Sequence, residues 1–134
     1  MVRHPNAGAR LAASPDGLLL QPWGVPTLLE VKITNPKTFL REWGDEATGG
    51  RWNPAWGDHP TVGRCPVRHW VQLQCQLACT GLRDGYIIGA CGTVRLDLKF
   101  GADTAFQEKI LSAAINFAVD VDNAKEVTKV GAGT

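Results

Sequence analysis

The chain has 134 residues and a formal net charge of +1, with 44% hydrophobic and 20% charged residues. That length supports one domain around one core, and the composition excludes a disordered or fibrous chain. No apolar stretch approaches the roughly 20 residues of a membrane-spanning helix, Met1 to Arg10 lacks the apolar segment of a secretory leader, and so small a net charge exerts no global pull on nucleic acid, so any basic surface must be local.

In chain order, residues 10–13 read as a short strand entering Ser14-Pro15-Asp16-Gly17. Pro15 presets φ and Gly17 supplies backbone freedom, which places Asp16 in a turn. Residues 18–21 continue as a strand, and Pro22-Trp23-Gly24-Val25-Pro26 makes a hairpin connection into Leu28-Leu29-Glu30-Val31-Lys32-Ile33. Side chains alternate along a strand, so Glu30 and Lys32 share a face while Leu29 and Val31 point the other way, into the core. The near-continuous apolar run is that of a strand buried on both faces. Charges there are costly unless paired or bound to metal, whereas Glu-x-Lys alone is more often a solvated ion pair.

Asn35 caps a short helix with Pro36 at its first position, running to about Trp43. Residues 44–63 form a long connection rich in Gly, Pro and Asp, carrying Trp52 and Trp56; such loops are commonly functional. Pro66 opens the longest helix, which runs to about Cys79 and is closed by Gly81. Two strands follow, 85–91 and 93–100, with Val94, Leu96 and Leu98 alternating with Arg95, Asp97 and Lys99 as in a half-buried strand. A last helix begins at Asp103 or Thr104 with Gln107 completing a capping box, and the tail after about Asn123 is expected to fray.

Cys65, Cys75, Cys79 and Cys91 have no C-x-x-C pairing. They read as buried free thiols in a reduced, cytoplasmic setting. His4, His59 and His69 form no ligand pattern.

Three segments stand together: "SPDG", "LLEVK" and "VQLQCQLACTG", the last on the long helix. An acid in a turn, Glu-x-Lys on a strand and a glutamine on the following helix, in this order, resemble the PD-(D/E)XK nuclease superfamily, and within it the YqaJ-like viral recombinase and lambda-exonuclease branch. The resemblance spans roughly residues 11–120. It implies an α/β fold with a restriction-endonuclease-like core, a small mixed sheet flanked by helices, and hydrolysis of DNA phosphodiester bonds in a phage-type recombination or DNA-processing system. Asp16 and Glu30, with the Val31 carbonyl and waters, would hold Mg²⁺ or Mn²⁺; this ion accepts few protein ligands. Lys32 would steer the attacking water and stabilise developing charge. Gln72 aligns with the first glutamine of the family's "QxQ" and would orient the water or the lysine. Gln74 lies about 200° away around the helix, and Gln74 and Gln76 are both expected on solvated surface.

Lys37, Arg41, Arg64 and Arg68 are the basic candidates for DNA contact, and Trp52 and Trp56 could stack on bases or anchor their loop. Exonucleases of this branch carry a helical region before the "SPDG" strand; here thirteen residues precede Ser14, and none matches its motifs. The resemblance favours exonuclease action, with endonuclease action close behind and a non-catalytic DNA-binding or assembly module as the alternative from another class. Self-association and partnership with a single-strand annealing protein stay open.

Overall fold

The alternating run around Glu30 forms β4 (Thr27–Ile33), an inner strand of a four-stranded sheet with β3 (Gly17–Leu19), β7 (Asp84–Cys91) and β8 (Val94–Gly101) in the order β3-β4-β7-β8. The computed structural model describes residues 1–20, 22, 24–44, 61–62 and 64–132, with side chains at all of these except 61 and 128–132. Most of the predicted loop, including Trp52 and Trp56, thus lies outside the described residues, as does Trp23, and its end at 61–62 is a short strand rather than loop.

Strands β4 and β7 are parallel, and the outer pairs are antiparallel. A parallel pair needs a crossover. Here it carries α1 (Pro36–Trp43) and α2 (Val67–Thr80), with the two-residue strands β5 (Thr61–Val62) and β6 (Cys65–Pro66) between them. The Asn35 side chain accepts from the Thr38 amide at 2.9 Å, the cap expected from the sequence. Gly81 closes α2 with φ 72°, donating to the Leu77 carbonyl at 2.9 Å.

Both crossover helices sit on one face of the sheet, the face of Leu28, Glu30 and Lys32. Two glycines of β7 admit them. A Cβ at Gly85 would stand 2.8 Å from Leu73 Cδ1, and one at Gly89 would stand 2.9 Å from the Trp43 ring. The core between the layers contains Leu28, Phe39, Trp43, Cys65, Leu73, Leu77 and Ile87. The opposite face corrects the reading of β4 as a strand buried on both sides: Val31 is 41% exposed and Ile33 is 81% exposed. Alternation assigned these residues to one face correctly, but the helices cover the other.

Before the sheet, β1 (Val2–Arg3) pairs with β2 (Ala12–Ala13). After it, α3 (Thr104–Ala132) continues as helix well beyond Asn123, where fraying was expected. Asp103 caps it by accepting from the Phe106 amide at 3.0 Å. The expected capping box forms only in part, because the Gln107 amide turns instead to Gln74 Oε1 at 3.1 Å. Among the described residues no helix is long and apolar enough to cross a membrane.

Candidate active site

Glu30 is 2% exposed, and its carboxylate is held by three side-chain donors. Lys32, two residues along the same face, places Nζ 2.9 Å from Oε1. From α2, Gln72 donates Nε2 to the same oxygen at 2.9 Å and accepts from Lys32 Nζ through Oε1 at 2.8 Å. Carboxylate, ammonium and amide thus close a three-membered ring, in which the ammonium and the carboxylate together dictate the orientation of the Gln72 amide. Asp16 approaches from the turn before β3. Its Oδ2 accepts from the Val31 amide at 2.8 Å, one residue past Glu30. Glu30, Lys32 and Gln72 are therefore joined directly between β4 and α2, and Asp16 is tied to the adjoining backbone of β4.

Gln76 was missed. Expected on the surface, it is 1% exposed and donates Nε2 to Glu30 Oε2 at 2.7 Å. Its own Oε1 is buried with no hydrogen-bond partner among the described residues. The signal was present: residues four apart on a helix are neighbours on one face, so placing Gln72 toward the sheet places Gln76 there too. Gln74 also departs from expectation, with 0% exposure. It points to the other flank of α2, donating to the Gly101 carbonyl at 3.0 Å and accepting from the Asp103 amide at 2.9 Å. The helix is covered on both flanks, by the sheet and by the start of α3, so neither glutamine reaches water.

Beside the ring, His69 stacks on Trp43 with centroids 5.6 Å apart. Burial, followed by the cationic fields of Arg68 and Lys32, pushes its pKa down to about 4, so it is neutral near pH 7. Cys65, buried nearby, is pushed up to about 12 by desolvation and is an inert thiol. The other cysteines are free as well, Cys79 buried and Cys75 and Cys91 half-buried.

The basic candidates separate. Lys37 and Arg41 are exposed on α1, one turn apart. Arg68 is paired with Glu42 at 2.6 Å. Arg64 lines a cavity of about 390 Å³ with Phe39, Gly44, Thr93 and Arg95, and its Nε is buried without a hydrogen-bond partner among the described residues.

No group of three or more His, Cys, Asp and Glu side chains that could hold a metal occurs among the described residues. A cation at this site would rest on the two carboxylates of Asp16 and Glu30 and on backbone and water oxygens. That all-oxygen set suits Mg²⁺ or Mn²⁺, which keep several waters, and does not suit a soft metal.

The architecture, a small mixed sheet flanked by helices, is shared with a crystallised exonuclease. An alkaline exonuclease (LHK-Exo) from Laribacter hongkongensis superposes with a TM-score of 0.70 at 22% sequence identity, and a crystal structure of LHK-Exo in complex with dAMP gives 0.71 at 23%. Each superposition covers 98% of this chain and 59% of that one, so the chain spans about three-fifths of the exonuclease's length. At this identity the likeness is one of fold. No protein-family description matches the sequence, and no curated protein does.

Proposed function

We propose that this protein is a metal-dependent deoxyribonuclease of the PD-(D/E)XK type, from the YqaJ-like and lambda-exonuclease branch, acting in DNA processing of a phage-type recombination system in the cytoplasm of a bacterial host. The observation that carries the proposal is the ring of Glu30, Lys32 and Gln72 with Asp16 bound to the next amide of the strand. A solvated ion pair needs none of this. A buried carboxylate held by an ammonium and two amides is a preorganised charged site.

In this scheme Asp16, Glu30 and the Val31 carbonyl hold Mg²⁺ or Mn²⁺. When bound, the ion neutralises the scissile phosphate and acidifies a coordinated water. Lys32, 22% exposed at its side chain, reaches the substrate side and stabilises the charge that develops on the phosphate. Gln72 keeps the ammonium aimed there, and Gln76 prevents the Glu30 carboxylate from rotating. Lys37, Arg41 and Arg64 supply further backbone contacts to DNA. Self-association and a single-strand annealing protein complete the proposed set of partners.

The test is incubation of purified protein with linear and closed circular DNA, with and without Mg²⁺ or Mn²⁺. Exonuclease action predicts metal-dependent loss of linear DNA while circles survive, and endonuclease action predicts that the circles are cut. Lys32→Ala should lower cleavage by about 10³-fold or more while DNA is still bound in a gel-shift assay. Cleavage at the normal rate would refute the assignment.

A further inference from the structure

Among the described residues, one buried acid besides Glu30 takes no part in the scheme above. Glu42, on α1, has a side chain only 9% exposed, and its Oε2 accepts from Arg68 Nη2 at 2.6 Å. Among the described residues the other ion pairs outside the site differ in kind: Arg10–Asp122 and Arg95–Asp97 are exposed on both partners, and Lys99–Asp84 joins an exposed lysine to a half-buried aspartate. A carboxylate is costly to bury, and this burial serves to hold an arginine that itself remains 55% exposed. A guanidinium has five N–H donors in a planar fork. Nη2 is engaged by Glu42, and the remaining donors have no hydrogen-bond partner among the described residues and can meet a second anion.

The position of that fork is informative. Arg68 precedes Gln72 by four residues on α2, so the two share a face with a rise of about 6 Å between them. Gln72 in turn touches both Glu30 and Lys32. Arg68 and Lys32 both act on His69, which packs against Trp43 and carries no charge near neutral pH. Arg68 thus stands one helical turn from the glutamine that holds the Lys32 ammonium, with His69 within the field of both cations.

We propose that Arg68 binds the phosphodiester adjacent to the one held at Glu30 and Lys32, and that Glu42 is the positioning residue that presets its guanidinium. This rests on the nuclease reading and assigns it a second phosphate subsite.

The experiment measures binding of a fluorescein-labelled DNA duplex by anisotropy, without divalent ions, across a salt series. Arg68→Ala should weaken binding about tenfold and flatten the plot of log K against log salt by about one unit. Arg68→Lys, which keeps the charge and loses the fork, should fall between Arg68→Ala and the parent. Glu42→Gln is the sharper arm. Removing a negative charge should tighten DNA binding on electrostatics alone, whereas loss of a positioning residue should weaken it severalfold, and the double variant should bind no worse than Arg68→Ala. An unchanged dissociation constant and salt slope for folded Arg68→Ala would overturn the subsite, and tighter or unchanged binding by Glu42→Gln would overturn the positioning role. Because no cleavage is required, a protein that binds as described but never cuts would sink the nuclease reading and leave the subsite standing.

Discussion

Helix α2 buries glutamines on two flanks, and the two sides do different jobs. On one, Gln74 is satisfied: it donates to Gly101, and its oxygen takes the Asp103 amide and the Gln107 side chain. It fastens the end of β8 to the start of α3, as a structural tie does. On the other flank, Gln76 gives its amide to one oxygen of Glu30, and its own oxygen has no partner among the described residues. Gln74 thus joins two elements of the scaffold, whereas Gln76 is turned toward a charged group.

The comparison can be broken by replacing each glutamine in turn. Gln76→Leu should lower cleavage by about 10–100-fold, since one oxygen of a buried carboxylate loses its donor, and should restrict the change in metal response to this variant. Single-turnover cleavage at saturating Mg²⁺ against a Mg²⁺ titration reads both. Gln74→Leu should act the other way round, costing about 1–3 kcal/mol of stability because the Gly101 carbonyl, the Asp103 amide and the Gln107 side chain lose their partner. Its cleavage per folded molecule should stay near the parent's, and urea unfolding with an activity assay separates the two. If both variants lose activity and stability in the same proportion, the distinction between the flanks is wrong.

A smaller effect concerns His69. Its pKa is lowered from the ordinary 6.5 to about 4 in the folded protein. The unfolded chain therefore binds the extra proton first, so stability is full above pH 6.5 and declines as pH falls toward 4. Allowing for partial exposure, the loss is about 1–2 kcal/mol. His69→Phe, which retains a ring against Trp43, should remove that slope from urea-denaturation midpoints measured between pH 7 and pH 4. The smallest effect belongs to the open face of the sheet: Ile33→Thr should change stability by less than about 0.5 kcal/mol, since the side chain is already 81% exposed. A larger loss would mean that something covers this face.

Much of the candidate site was readable because its geometry is local. A strand's period of two put Glu30 beside Lys32, and Pro15 with Gly17 marked the turn that carries Asp16. The Asn35 cap and the Gly81 stop were likewise written in residues close in sequence. Gln76 was half readable, since its spacing from Gln72 joined the two on one face but gave no sign of how tightly that face would be closed.

What the residues determined alone, then, was phase: which side chains travel together along a strand or around a helix. Only the tertiary structure decided where each phase points. It set α1 and α2 on the Glu30 face, through Gly85 and Gly89, and left Val31 and Ile33 in water. It also joined Glu42 to Arg68 across two helices. Periodicity is a property of one segment, whereas burial is a relation between segments, and close packing between layers is what turns the first into the second.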